Sequence, residues 1–468
     1  LRNYVFNNLA SHTLGYLGEI SKASLERHKD PSYKQGDFVG KNGLENIYES
    51  VLKGEKGYKE VEVDVSGREL KALRKLPPQS GDNLVLTLDV RVQQELEKAM
   101  KGTVEQSMNG SVVVMKVQTG EVIAMASNPS FDPNKFAAGI SPQNWNALVS
   151  DEWHPLQNRS IHGQYPPGST YKIVTALAGL EEGVIKPDTS IFCPGHFKLG
   201  RGRYRCWKKS GHGSMNLHDA LVQSCDVYFY TIGHRLGIDT IAKYAKRFGL
   251  GSSTHLGLSQ EKKGLVPTTQ WKLLKKKEPW LLGETISASI GQGFNLVTPM
   301  QQVSMISAVA NGGILLKPYL VKRIEEPKGQ VKKEFFPNIV GQLGADPDHL
   351  EQIRMALRDV VNGKRGTAKR SRLKNITVSG KTGTAQVVRM KSNEELEKGE
   401  AIPVKYRDHA WFVAFAPYEK PEIAVAIIIE HGGHGGATAA PIAKKIFKKY
   451  FKLNPPAPSP DVLFPQPL

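Results

Sequence analysis

The sequence predicts an α+β protein, an antiparallel sheet flanked by helices with a smaller region ahead of it. Three observations carry this expectation. Strand-like apolar segments fall near both ends of the large domain, at 111–126 and again at 377–388, 409–416 and 422–430. Between them, from 169 to about 310, apolar residues recur at helical spacing. At 468 residues and 40% apolar content, the chain has room for one large domain and one small one.

Residues 1–80 mix short helical and strand segments, and Tyr16-Leu17-Gly18-Glu19-Ile20 and the alternating Val61-Glu62-Val63-Asp64-Val65 are parts of them. Pro77-Pro78-Gln79-Ser80-Gly81 is a turn or linker, after which residues 81–453 make the large domain. A strand at 83–88 leads at Asp89, a suitable N-cap, into a helix through Met100. Residues 111–126 read as a hairpin around Thr119-Gly120, and much of 127–165 is loop-rich. The last amphipathic helix covers 439–451, and 454–468 is a proline-rich tail expected to be disordered.

Three strings bear chemistry: Ser169-Thr170-Tyr171-Lys172, Ser224-Cys225-Asp226 and Lys381-Thr382-Gly383-Thr384. Each is weak alone, and their order, intervals and settings give the set its weight. Pro166-Pro167-Gly168 is an extended segment ending in a turn, and a helical pattern follows it and stops at Gly183. Ser169 therefore stands at a helix N-terminus, where negative charge is favoured. Lys172 shares its face at i+3, within reach of the hydroxyl, and a buried lysine beside other cations can serve as the base a serine nucleophile needs. Taken alone, the string fits a helix cap followed by a surface lysine better than a catalytic pair. The third string alternates like a strand, and Gly380 and Gly383 allow close approach of another chain. Lys381 and the hydroxyls of Thr382 and Thr384 can hold a carboxylate on such a strand, while a backbone N–H points at a carbonyl oxygen.

On these residues the chain resembles the class B penicillin-binding transpeptidases, and most the rod-elongation type, from about Ser11 to about Phe451. Further matches are the run from His12 to Gly18, Gly291-Gln292-Gly293 with Thr298-Pro299, Asn311-Gly312-Gly313, and the run from His409 to Pro417. The resemblance implies that Ser169 attacks a D-alanine carbonyl of a peptidoglycan stem peptide with Lys172 as base, and that Ser224 passes the proton to the leaving group. It further implies an oxyanion hole from the N–H groups of Ser169 and Thr384, and a carboxylate grip from Lys381, Thr382 and Thr384, with Gly383 between them. β-Lactams would trap the same serine. One departure matters: the wider family has Asn where this chain has Asp226. A carboxylate only accepts hydrogen bonds, so Asp226 suits pairing with Lys172 or Lys381 better than holding a substrate carbonyl. The elongation type is similar in carrying Asp there. A β-lactam sensor or β-lactamase-like hydrolase on the same fold, or a non-catalytic elongation scaffold, are the competing functions. No Glu motif for positioning a hydrolytic water is evident.

The three cysteines, Cys193, Cys206 and Cys225, fall in one short stretch with His212 between glycines, which is the ligand set of a structural Cys3His zinc site. Cys193-Pro194-Gly195 and Arg205-Cys206-Trp207 resemble two arms of a hairpin. A Cys193–Cys206 disulfide beside a free Cys225 is the other arrangement, and His196 and His218 compete with His212. The elongation-type relatives are similar in having a metal site in this interval. The resemblance also implies a pedestal at 1–80 that binds an elongation glycosyltransferase and cell-shape proteins, and a membrane anchor preceding this fragment, with the catalytic domain in the periplasm. The formal net charge of +18 suits anionic headgroups or wall polymers, and no nucleic-acid recognition motif is present. Two segments invite over-reading. The basic stretch Trp271 to Trp280 fits a solvated helix or a membrane-surface segment, and His431-Gly432-Gly433-His434 fits a strand-to-helix turn near the cleft.

Overall fold

The computed structural model describes residues 2–27, 31–102, 108–137, 139–387 and 403–455. Its centre is a five-stranded antiparallel sheet. Strands β1 (Gly110–Lys116) and β2 (Val122–Asn128) form the expected hairpin. They are joined by β3 (Ser379–Ala385), β4 (His409–Ala416) and β5 (Ile423–Ile429), in the spatial order β3-β4-β5-β1-β2. Strand pairing therefore brings the two ends of the large domain together.

Side chains alternate along these strands, and both faces of the sheet are covered. Val112, Val114, Phe412, Val425 and Ile427 face a layer made by α1 (Val90–Met100) and the final helix. Val113, Met115, Trp411, Val413 and Ile428 face the mainly helical half that holds residues 169–310. Burial on both sides explains why β4 and β5 read as nearly unbroken apolar runs. Helix α1 starts where expected, the Asp89 side chain accepting from the Arg91 N–H. In the helical half lie α2 (Lys172–Glu181), α3 (Leu217–Val222), α4 (Asp226–Leu236), α5 (Pro299–Ala310) and α6 (Pro347–Asn362). Helix α5 is buried on every side and begins with a Thr298–Gln301 capping box. Helix α7 (Ala439–Leu453) is the amphipathic helix expected at the end.

Several expectations need correction. Residues 191–215 are not helical: they hold four short strands in two antiparallel pairs, punctuated by Gly195, Gly200, Gly211 and Gly213, all at positive φ. Three short helices interrupt the stretch expected to be loop-rich, Asn134–Ala137, Pro142–Ser150 and Arg159–His162. The strand around Val61 runs Tyr58–Val63 and turns at Asp64. The strand at Asn83–Leu86 pairs with Val321–Glu325, outside the central sheet. The N-terminal region is also more entwined with the large domain than a linker at 77–81 suggests. His12 Nε2 donates to Pro155 O at 2.7 Å, and Glu97 accepts from the Ala10 N–H at 2.7 Å. In the basic stretch, Lys272 turns inward to Glu284 at 2.6 Å. Val388 and most of the proline-rich tail, 456–468, lie outside the described residues. Among the described residues no helix is long and apolar enough to cross a membrane.

Candidate active site

Ser169 lies in a 3-10 turn, Gly168–Tyr171, that runs straight into α2. Two glycines let this turn lie against strand β3. Gly168 has φ +55°, and a Cβ there would sit 2.5 Å from the Thr384 carbonyl oxygen. A Cβ on Gly383 would sit 2.9 Å from the Pro167 carbonyl oxygen. The turn is also bonded from behind, Gly168 N donating to Gly291 O at 2.9 Å. The Gln292 amide donates to Thr384 O at 2.9 Å, so that carbonyl points out from the edge of β3. Within a strand a residue's N–H and C=O share an edge, so the Thr384 N–H faces the turn that carries Ser169.

The second string sits where α3 ends and α4 begins. Ser224 takes φ +56°, a conformation that non-glycine residues seldom adopt. Its hydroxyl lies between two buried amines, 2.9 Å from Lys381 Nζ and 3.2 Å from Lys172 Nζ. Both lysines are 0% exposed. Lys172 Nζ also donates to Ser224 O at 2.9 Å and to Asp226 Oδ1 at 2.6 Å, which uses its three protons. The sequence suggests a Lys172–Ser169 hydrogen bond; here the amine turns to the second string instead, because Asp226 offers it a carboxylate. Asp226 thus pairs with Lys172, as its acceptor-only chemistry suggests. Burial, reinforced by the Lys172 charge and opposed by Asp226, holds the Lys381 amine well below its ordinary value.

Ser169, Ser224, Asp226, Thr382, Gly383 and Thr384 line one cleft of about 750 Å³. The two lysines stand behind its wall. His434 and Gly435, from the turn between β5 and α7, also line the cleft. Thr382 Oγ1 lies 2.8 Å from Thr367 Oγ1, a partner the sequence does not advertise. Trp207 was missed as well: its backbone N–H donates to Asp226 Oδ2 at 2.9 Å, and its only sequence signal is adjacency to Cys206.

The proposed ligand set converges. Cys193, Cys206, His212 and Cys225 place one donor atom each within 4.8 Å of all the others. His212 Nδ1 is 3.6 Å from Cys193 Sγ and 3.5 Å from Cys206 Sγ. Zn–S and Zn–N bonds of about 2.3 and 2.0 Å give tetrahedral edges of similar length, so the donor set fits zinc. All three cysteines are free, buried thiols. A thiol–thiol hydrogen bond lowers Cys206 to about 5 and raises Cys225. The competing histidines are engaged elsewhere, His196 with Arg203 and His218 with Asp359. Pro194-Gly195 and Arg205-Cys206 do continue the two arms of one hairpin, Arg205 pairing with His196 and the Cys206 N–H donating to Gly195 O at 2.8 Å, while Cys193 itself pairs with Gly213. The strand of Cys193 pairs with Gly213–Met215, and the hairpin His196–Leu199/Gly202–Arg205 lies between the two cysteines.

A nucleophilic hydroxyl at a helix start, a second hydroxyl between buried amines, and a backbone edge facing the first define a serine acyltransferase that uses no histidine. The chain matches the penicillin binding protein transpeptidase domain over residues 110–448 and the penicillin-binding protein dimerisation domain over 1–86. It belongs to the penicillin-binding transpeptidase family. It is 38% identical to the peptidoglycan D,D-transpeptidase MrdA of Escherichia coli K12, over 93% of this chain and 69% of that protein. Among solved structures it resembles penicillin-binding protein 2 of Helicobacter pylori in complex with MreC, with TM-score 0.83, 34% identity, and coverage of 96% of this chain and 79% of that one. It also resembles a chain of a peptidoglycan synthase complex that coordinates polymerization and crosslinking, with TM-score 0.81, 33% identity, and coverage of 96% and 76%.

Proposed function

We propose that the chain is a serine-type peptidoglycan D,D-transpeptidase of the elongation type. The observation that carries this is the Ser224 hydroxyl, held between Lys172 and Lys381 in the wall of the cleft that contains Ser169. Ser169 Oγ attacks the penultimate D-alanine carbonyl, and the C–N bond to the terminal D-alanine breaks. The Ser169 proton passes through the Lys172–Ser224 network to the departing amine. The N–H groups of Ser169 and Thr384 take the developing oxyanion, and Thr382, Thr384 and Lys381 hold the terminal carboxylate. An amine of a neighbouring strand then attacks the ester, forms the cross-link and restores Ser169. Asp226 is the counter-ion of Lys172 rather than a ligand of the substrate carbonyl.

Zinc held by Cys193, Cys206, His212 and Cys225 is the structural part of this reading. It supplies no step; it would fix Cys225, and with it Ser224 and Asp226, from behind. The relatives' complexes support a pedestal at 1–80 that docks a cell-shape protein and a glycosyltransferase, joined to a transpeptidase domain at 81–453. Their likeness also supports an inner-membrane enzyme working in the periplasm. The test is labelled penicillin followed by mass spectrometry. A stable adduct on Ser169, lost in Ser169→Ala, is expected; rapid release would favour a hydrolase, and no adduct would favour a scaffold.

A further inference from the structure

We propose that Trp207 is a positioning residue for Ser224, holding it through the indole N–H so that the hydroxyl stays between the two buried lysines. The proposal rests on the acyl-transfer reading above. Trp207 follows Cys206 and stands on the cleft wall with Ser169 and Ser224. Its Nε1–H reaches the carbonyl oxygens of Gln223 and Ser224, each at 3.1 Å. Its backbone N–H donates to Asp226 Oδ2 at 2.9 Å. One residue therefore holds the chain on both sides of Cys225.

Ser224 needs such a hold. At φ +56° its backbone is strained, and such strain persists only where the surroundings over-determine it. The Ser224 carbonyl accepts from Lys172 Nζ at 2.9 Å and from the indole at 3.1 Å. Two donors on one carbonyl fix the plane of its peptide. Rotating that plane would swing the Ser224 Cα–Cβ bond, and with it the hydroxyl that both amines share. Lys172 cannot fix the plane alone, because its amine divides among three acceptors. The imidazole of His212 packs edge-on against the indole at 5.3 Å and sets the direction of the N–H. The indole is otherwise solvent-facing: Trp207 is 60% exposed, so filling the core is not its role.

Trp207→Phe keeps an aromatic ring against His212 and the backbone N–H to Asp226, and it removes the indole donor. The experiment is stopped-flow acylation of metal-replete protein by a fluorescent penicillin, resolved into the dissociation constant of the first complex and the acylation rate constant. Metal content and melting temperature are measured on the same preparation. The acylation rate constant should fall about tenfold, as expected for one lost hydrogen bond felt at the reacting geometry. The first complex, metal content and melting temperature should hold. Trp207→His, which returns a ring N–H, should recover part of the rate. An unchanged rate in Trp207→Phe overturns the proposal. A rate loss matched by metal loss or a lowered melting temperature also overturns it, since Trp207 would then be a structural prop. Failure of the unmodified protein to acylate at Ser169 would remove the acyl-transfer reading, and this proposal with it.

Discussion

Two buried clusters share the tripeptide Ser224-Cys225-Asp226 and are built on different terms. The amine cluster holds two lysines, one carboxylate and one hydroxyl, and its contacts are directional hydrogen bonds between 2.6 and 3.3 Å. The thiol cluster has three sulfurs and an imidazole whose lone pairs face one another, and the far nitrogen of His212 has no hydrogen-bond partner. The first cluster settles its charges internally: Asp226 neutralises Lys172, and Lys381 is pushed towards the neutral form. The second has the spacing and donor chemistry of a metal ligand set. Residues one apart in sequence can thus serve a site that must exchange protons and a site that must stay rigid, because successive side chains at this helix start point in different directions.

Breaking the amine cluster should have the largest effect. Lys172→Ala leaves the largely buried Asp226 carboxylate without its cation, and losing one partner of a buried pair costs about 3–5 kcal/mol. Acylation by a fluorescent penicillin should fall about a thousandfold or more, and urea unfolding should report the lost stability. Unaltered acylation would remove Lys172 from the chemistry. Cys225→Ser removes one ligand of the proposed zinc site and should loosen Ser224 and Asp226 together. A displacement of about 1 Å is worth up to about a hundredfold in rate, so a ten- to hundredfold drop is expected, with a lower melting temperature. Full metal content in this variant would separate the two clusters and break the comparison.

Asp226→Asn is a finer probe, because it keeps the size of the side chain and an oxygen for the Trp207 N–H. Asp226 is the group that opposes the lowering of Lys381. Without it the amine titrates lower still, so the limb over which acylation falls with rising pH, as Lys381 loses the charge that holds the substrate carboxylate, should move towards acid, with a rate loss of about tenfold. A shift towards alkali would contradict the pairing described here. The smallest effect lies away from both clusters, at His12. Burial lowers this imidazole from 6.5 to about 4. The unfolded chain therefore binds the extra proton first as pH falls, so stability is full above 6.5 and declines towards 4. His12→Gln should flatten the melting temperature between pH 4 and 6.5 and leave acylation at neutral pH alone.

Much of the candidate site's geometry was legible because its signals are local. The turn before Ser169, the i+3 spacing of Lys172, the glycines around Lys381 and the Asp89 cap each work within a few residues. The convergence of the three cysteines with His212 was also readable, since ligand chemistry restricts the choice of partners. What escaped the sequence depends on distant pairing. The carboxylate of Asp226 was expected to pair with a lysine, but nothing near Lys172 says that its amine donates to Asp226, 54 positions away, rather than to Ser169. Nothing near Trp207 says that its indole meets Ser224. Of the four short strands at 191–215, only the hairpin that ends at Arg205 left a trace in the sequence, because ladders of three or four residues leave little periodicity to read.

The strand bearing Lys381 is the outermost of the central sheet. A bare margin of this kind tends to recruit any extended polypeptide that meets it. Here Asn362 takes the Val378 carbonyl at one end, and Gln292 takes that of Thr384 at the other. What stays open between these stoppers suits a few residues of stretched substrate and is too short for two enzyme molecules to zip together.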